Sequence, residues 1–256
     1  MAYTNSPLVS YTKLSPNHSG QRTHSIDRIT PHCVVGQCSV ETLGNIFLPV
    51  SRQASSNYSI GPDGRVGMYV DEKNRSWCSS SGANDQRAVT IECASDTTEP
   101  YAFRDVVYRT LIKLCVDICK RNGKTKLLWL GDKTKTLSYT PKPDEMVLTV
   151  HRWFANKSCP GNWMYVRMGD LAKKVTAALG SAVKPVEPTK PTGTIKAGDL
   201  VTITGSTYYN GKSIPKRVKG KTGTFSRLTA RESSSIRART VKTPSAAPST
   251  PPTFSL

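Results

Sequence analysis

Residues 88–123, AVTIECASDTTEPYAFRDVVYRTLIKLCVDICKRNG, contain the strongest secondary-structure signals in the chain. The run Ala88 to Cys93 is short, apolar and rich in β-branched residues, which predicts a buried strand. From Phe103 to Asn122, apolar residues recur at spacings of three and four. This pattern predicts an amphipathic helix that Gly123 ends. A strand followed by a long helix is the building unit of α/β domains.

The sequence on both sides continues this alternation. The predicted elements are a strand at 29–35, a helix at 39–47 with Ser39 as its N-cap, a hairpin at 57–70 around Pro62-Asp63-Gly64, a strand at 146–151 and a helix at 170–179 stopped by Gly180. Strands interleaved with helices predict an α/β fold for residues 1–180. Pro185, Pro188, Pro191 and Gly193 then indicate an extended linker at 181–195.

The charge of the chain indicates anionic partners. Its 256 residues carry 36 Lys and Arg against 18 Asp and Glu, a net charge of +18. Residues 1–180 hold 23 basic and 15 acidic side chains, whereas residues 181–256 hold 13 and 3. Nucleic acid, an acidic membrane or an anionic wall polymer would fit this charge. No basic motif with base-reading or stacking residues appears, so nucleic acid is not expected.

Two features bear on where the protein acts. There is no run of 18 apolar residues, so membrane insertion is not expected, and the first 24 residues lack the pattern of a secretory signal. Seven irregularly spaced cysteines argue against a disulfide framework and for reduced thiols. We therefore expect a protein made and kept in the cytoplasm until another factor releases it.

Three side chains have the chemistry of a metal site. His32 and His151 lie at the ends of apolar runs, and Cys159 follows His151 by eight residues within a Cys-Pro-Gly turn. Two imidazoles and a thiolate suit zinc, and three protein ligands leave the open position of a catalytic site. Spacing alone is a weak signal for zinc, because structural histidines and a buried cysteine are the commoner explanation of such residues.

Several separated motifs resemble one family. ITPHCVVG, SNYSIGxDGRV, WCSSSxANDxRAVTIE and Hx(7)CPG occur in this order over roughly residues 20–175. Together they resemble the zinc N-acetylmuramoyl-L-alanine amidases of type 2, related to peptidoglycan recognition proteins and to phage and prophage endolysins. The resemblance implies a mixed central β-sheet flanked by helices, and zinc held by His32, His151 and Cys159. It also implies hydrolysis of the amide between N-acetylmuramic acid and L-alanine in peptidoglycan.

The resemblance also assigns catalytic roles. Lys157 matches a lysine two residues before the third zinc ligand, where it would stabilise the oxyanion. Tyr58 matches an active-site tyrosine, and Glu92 matches a glutamate used as general base. Either Tyr58 or Glu92 would accept the proton of the attacking water. Cys78 stands where relatives often carry a histidine, which leaves substrate contacts there open.

Residues 196–256 are expected to form a small wall-binding module. Gly198-Asp199, the alternating Leu200 to Ile203 and the turn at Asn210-Gly211 resemble the first strands of a bacterial Src-homology-3-like β-barrel. Residues 222–256 hold seven Ser, seven Thr and four Pro, a composition that does not supply further strands. We therefore expect the barrel to be incomplete, truncated or disordered after about residue 221. A reading-frame slip would explain this, since another frame across residues 229–248 can encode a strand-turn-strand pattern.

The favoured function is a peptidoglycan amidase that lyses the cell wall, with anionic wall polymers as further partners. The alternative is a non-catalytic peptidoglycan-recognition protein. Such a protein would lack a zinc ligand, and all three are present here.

Overall fold

The computed structural model describes residues 3–180 and, beyond them, four short strands at 200–203, 222–225, 238–240 and 253–254. The chain divides into two compact units, Met1–Ala182 and Val183–Leu256. In the first unit the strands are β1 (Val9–Thr12), β2 (His18–Gln21), β3 (Arg28–Cys33), β4 (Tyr58–Ile60), β5 (Val66–Met68), β6 (Asn74–Ser76), β7 (Ala88–Cys93), β8 (Lys126–Leu128) and β9 (Glu145–Leu148). The helices are α1 (Val40–Phe47), α2 (Gly82–Asp85), α3 (Asp105–Arg121), α4 (Lys133–Ser138), α5 (Gly161–Tyr165) and α6 (Met168–Gly180), with 3₁₀ turns at Val50–Arg52 and His151–Trp153.

A seven-stranded sheet in the order β1-β5-β4-β7-β3-β9-β8 forms the centre of this unit. The β4–β5 hairpin is antiparallel, and every other neighbouring pair in this sheet is parallel. A separate antiparallel pair joins β2 to β6. The mixed central sheet flanked by helices is therefore confirmed.

The two faces of the sheet differ in chemistry. On one face, Ile29 of β3 and Val89 and Ile91 of β7 are fully buried in the main hydrophobic core, against α3 and α6. On the other face, Thr30 and Thr90 are equally buried, and their hydroxyls are hydrogen-bonded. Side chains of a strand alternate between faces, so one set of residues builds the core and the next set faces the polar side.

Local sequence accounts for the predicted elements. The strand at Ala88–Cys93 has the predicted bounds, and α3 ends before Gly123, whose φ of +67° suits a residue without a side chain. The Ser39 side chain accepts a hydrogen bond from the backbone N–H of Thr42 and so caps α1 as predicted. The strand predicted at 146–151 ends earlier, because His151 begins a 3₁₀ turn.

The N-terminal segment was not predicted to contain strands. β1 and β2 are four residues long and half exposed, so they lack the apolar run that marks a buried strand. β1 pairs with β5 and β2 pairs with β6, so both depend on contacts distant in sequence. Among the described residues, no helix combines the length and the apolar character needed to cross a bilayer.

In the second unit the four described strands form one sheet. Leu200–Ile203 pairs antiparallel with Thr222–Phe225 and with Ala238–Thr240, and Thr222–Phe225 pairs with Thr253–Phe254. Three of these strands follow residue 221, where composition predicts none. The predicted linker at 181–195 and the turn at Asn210-Gly211 lie outside the described residues. The wall-binding module and its end near residue 221 remain predictions.

Candidate metal centre and active site

The candidate site is built at the carboxyl ends of neighbouring parallel strands. His32 on β3 and Glu92 on β7 are paired in register, so their side chains lie side by side on the polar face. His151 follows β9, which is the other neighbour of β3. Crevices at the carboxyl ends of parallel strands are the usual ligand sites of α/β sheets.

The three predicted metal ligands converge. His32, His151 and Cys159 each offer one ligand atom, and these atoms lie within 4.8 Å of one another. His32 Nδ1 is 3.3 Å from Cys159 Sγ, and the two imidazole centroids are 5.1 Å apart. Bond lengths of about 2.0–2.3 Å to zinc place tetrahedral ligands about 3.3–3.8 Å apart. Small adjustments would therefore bring all three onto one ion.

The protonation chemistry of these groups also fits zinc. Burial lowers the pKa of His32 well below its ordinary value, with a further contribution from His151. Burial lowers the pKa of His151 as well, helped by the positive charge of Lys157. Both rings are thus neutral near pH 7, as metal ligands must be. Burial raises the pKa of the Cys159 thiol, and a coordinated cation would reverse this by stabilising the thiolate.

Glu92 has the environment of a general base. Its Oε1 atom is 4.0 Å from His32 Nδ1 and 3.8 Å from Cys78 Sγ, while its Oε2 atom is buried without a hydrogen-bond partner among the described residues. Burial raises the pKa of this carboxyl to about 7. An unpartnered carboxylate oxygen with a pKa near neutrality is suited to take up a proton.

Glu92, His151 and the exposed Lys157 line a groove of about 420 Å³. Two further cations, Arg52 and Arg75, line the same groove, and sequence reasoning missed both. Neither belongs to a recognised motif. Arg52 ends the 3₁₀ turn at Val50–Arg52 and Arg75 lies on β6, so only the tertiary fold brings them into the groove with Glu92. The groove therefore combines the carboxyl group of Glu92 with three positively charged side chains.

The structure does not bring Tyr58 to this site, so the prediction that it handles the proton of the attacking water is wrong. In the register of β4 and β7, Ser59 pairs with Glu92 and Tyr58 pairs with Ile91, which places Tyr58 on the opposite, apolar face. Its side chain is fully buried, and its hydroxyl donates to Glu72 Oε1 at 2.7 Å. Burial, followed by the charge of Glu72, raises its pKa above the ordinary value.

The tryptophans near the motifs divide between groove and core. Trp77 lines the groove, and its Nε1 donates to Ser19 Oγ at 2.6 Å. Trp153 is buried and stacks on Trp129 with the ring centroids 5.1 Å apart. Trp163 packs against Phe103 and other aromatic rings. Of these three tryptophans, only Trp77 lines the described groove.

A buried polar network holds the loop beside the metal ligands. Asp85 accepts hydrogen bonds from the backbone N–H groups of Cys78 and Ser79 at 3.0 and 3.1 Å, and from Ser79 Oγ at 2.6 Å. Asn84 donates to Thr30 Oγ1 at 3.0 Å and so ties this loop to β3. Asn84 and Asp85 lie in α2, which has Ser81 as its N-cap. A serine directly before the first helical residue is a preferred N-cap, and this is the signal that indicates where α2 begins.

Ser80, in the middle of this loop, was also missed by sequence reasoning. Its Oγ atom lies 3.0 Å from His151 Nε2, and the residue lines the groove.

All seven cysteines lie among the described residues and are free thiols, as the irregular spacing predicts.

Several solved structures resemble this fold at low sequence identity. AmpD, in a crystal structure of a derivative, is 14% identical with a TM-score of 0.48, and the match covers 70% of this chain and 99% of AmpD. The hydrolase AmiA of Staphylococcus aureus, in complex with its ligand, is 12% identical with a TM-score of 0.45, covering 68% and 86%. The Ph2119 endolysin from Thermus scotoductus MAT2119 bacteriophage Ph2119 is 17% identical with a TM-score of 0.40, covering 60% and 90%.

No curated protein sequence matches the chain significantly. The model of the N-acetylmuramoyl-L-alanine amidase family, Amidase_2, matches residues 15–162, which is more than half of the chain and spans His32, Glu92, His151 and Cys159. This chain therefore belongs to the N-acetylmuramoyl-L-alanine amidase family of type 2.

Proposed function

We propose that this protein is a zinc-dependent hydrolase that cuts the amide between N-acetylmuramic acid and L-alanine in peptidoglycan. The observation that carries the proposal is the convergence of His32, His151 and Cys159 within 4.8 Å in a chain of this family. A non-catalytic peptidoglycan-recognition protein, the alternative from sequence, has no need for a complete ligand set beside a buried carboxyl.

The residues divide the chemistry among them. His32, His151 and Cys159 would hold zinc, which supplies a water of lowered pKa and polarises the scissile carbonyl. Glu92 takes up the proton of the attacking water at its unpartnered Oε2 atom and later returns it to the leaving amine. Lys157, at the exposed rim of the groove, donates hydrogen bonds to the oxyanion that develops on the carbonyl.

The same proposal includes lysis of the wall as the biological role. The groove carries Arg52, Arg75 and Lys157, and the whole chain has a net charge of +18. These charges favour approach to a wall rich in anionic polymers, because opposite charge raises the rate of encounter. We further propose an endolysin-like role, in which the enzyme waits in the cytoplasm of the producing cell and reaches the wall on release.

Two measurements on the purified chain test this proposal together. Zinc content is expected to be one per chain, and Gram-positive walls are expected to lose turbidity while new amino termini appear. A chelator should abolish both effects, and added zinc should restore them. New reducing sugar ends without new amino termini would indicate a glycosidase and would overturn the proposal.

A matched pair of variants distinguishes a loss of zinc binding from a general loss of folding. Cys159→Ser is expected to bind well below one zinc per chain and to lose lysis, because a hydroxyl is a poor zinc ligand. Cys38→Ser likewise replaces Sγ by an oxygen, but Cys38 lies outside the ligand set, so this variant should keep its zinc and its lytic activity. Full lysis by Cys159→Ser would show that this thiol does not hold the metal.

A further inference from the structure

Ser80 has a backbone conformation that favours glycine. Its φ is +60°, and among the described residues only Val35, Gln53 and Tyr101 share a positive φ without being glycine. In this region the Cβ atom of an L-residue approaches its own carbonyl oxygen, so a side chain there carries a conformational cost. Such conformations persist where the surrounding structure enforces them, and they cluster at functional sites.

The neighbours of Ser80 enforce this conformation from both sides. On the N-terminal side, the buried carboxylate of Asp85 accepts hydrogen bonds from the backbone of Cys78 and Ser79. On the C-terminal side, Ser81 Oγ accepts from the backbone N–H of Asn84 and so starts α2. The one exposed residue between these anchors is Ser80. The backbone path is thus fixed by its flanks, and a glycine at position 80 would follow it without a side-chain cost.

The serine side chain makes one contact that a glycine cannot make. Its Oγ atom is 3.0 Å from Nε2 of His151, which is hydrogen-bond distance. A histidine that binds metal through one ring nitrogen usually donates its other N–H to a partner, which fixes the tautomer and the ring orientation. Among the described residues, this is the only hydrogen bond that the His151 ring makes.

We infer that Ser80 is a positioning residue for His151: its hydroxyl accepts the Nε2–H bond and leaves the Nδ1 lone pair free for zinc. This inference rests on the proposed function, because it presumes that His151 is a zinc ligand. It assigns to Ser80 no contact with the reacting atoms. This role explains why a serine occupies a position where its positive φ carries a conformational cost: its hydroxyl orients the His151 imidazole.

Three variants of the full chain test the inference by zinc affinity, measured in competition with a chromophoric chelator. Ser80→Ala and Ser80→Gly remove the hydroxyl, and each should weaken zinc binding by about 10- to 100-fold. Ser80→Asn keeps a side-chain oxygen that can accept a hydrogen bond and tolerates a positive φ, so it should bind zinc closer to the wild-type affinity than Ser80→Ala does.

Melting temperature provides the readout that separates positioning from folding. Ser80→Gly relieves the backbone cost, so its Tm in the metal-free form should rise by about 2–4 °C while its zinc affinity falls. Val35→Gly is the matched control, since Val35 has a φ of +56° and a 48% exposed side chain away from the groove. Its Tm should also rise, and its zinc affinity should stay unchanged.

The possible outcomes distinguish a failure of this inference from a failure of the proposed function. Unchanged zinc affinity in both Ser80→Ala and Ser80→Gly would overturn the inference and leave the proposed function intact. Tighter binding in these variants would overturn it as well, because it would mean that the hydroxyl occupies the place of the ion. A wild-type chain that binds no zinc would instead overturn the proposed function itself.

Discussion

Replacement of Tyr58 by Phe removes one oxygen atom that the structure places in two hydrogen bonds. The hydroxyl donates to Glu72 Oε1 at 2.7 Å and accepts from the backbone N–H of Ser6 at 2.9 Å. Tyr58 and Glu72 are 0% and 1% exposed, so water cannot replace the lost partner. Arg121 remains bonded to Glu72 and still compensates its charge.

The expected cost follows from these two bonds. A buried donor left without a partner costs about 1–3 kcal/mol, and a hydrogen bond to a charged group contributes about 1.5–3 kcal/mol. Because Arg121 still satisfies Glu72 in part, we expect Tyr58→Phe to lower the free energy of unfolding by about 2–4 kcal/mol. For a domain of this size that corresponds to a fall in Tm of roughly 4–16 °C.

Thermal unfolding and wall hydrolysis, measured on the same preparation of Tyr58→Phe, test this prediction. At a temperature where the variant is folded, its kcat should equal that of the wild type, because the hydroxyl lies on the face of the sheet opposite Glu92. Tyr69→Phe is the matched control, since Tyr69 is also fully buried and its hydroxyl donates to Val40 O at 2.7 Å. It should likewise lose stability and keep kcat. A large loss of kcat in Tyr58→Phe with unchanged Tm would refute this reasoning and return Tyr58 to the catalytic site.

Two other replacements should have the opposite profile, with loss of catalysis and little loss of stability. Glu92→Gln keeps the shape of the side chain but cannot take up a proton, so kcat should fall about 10²- to 10⁴-fold while zinc content stays at one per chain; wild-type kcat would exclude Glu92 as the base. Lys157→Met removes a charge from an exposed side chain, so kcat should fall about 10²- to 10³-fold with an unchanged Tm. A raised KM with unchanged kcat would mean that Lys157 binds substrate without stabilising the oxyanion.

The sequence predicted those parts of the fold that depend on local patterns. Ala88–Cys93 and the helix at Asp105–Arg121 have strong periodicity, and both were found with nearly the predicted bounds. The polar strands β1 and β2 escaped prediction because they form only by pairing with distant segments. The His, Cys and Glu side chains of the site were found through their motifs.

The error at Tyr58 has a simple physical origin. Adjacent residues of a strand face opposite sides of the sheet, so a motif that locates a strand does not say which residue faces the site. Only the pairing of Ser59 with Glu92 decides the matter, and that pairing joins segments more than thirty positions apart. Ser80 was missed for a related reason, since its contact with His151 spans 71 residues of sequence.

The pairing of His32 with Glu92 across β3 and β7 makes hydrolysis a reporter of how the chain has folded. If β3 slipped by a single position against β7, His32 would face the apolar side with Val89, Ile91 and the helices, and Glu92 would lose its neighbour. Compact chains with that error would have the native content of helix and strand by circular dichroism but no activity in a wall assay. The regain of wall hydrolysis during refolding would therefore time the moment at which these two strands reach their native alignment.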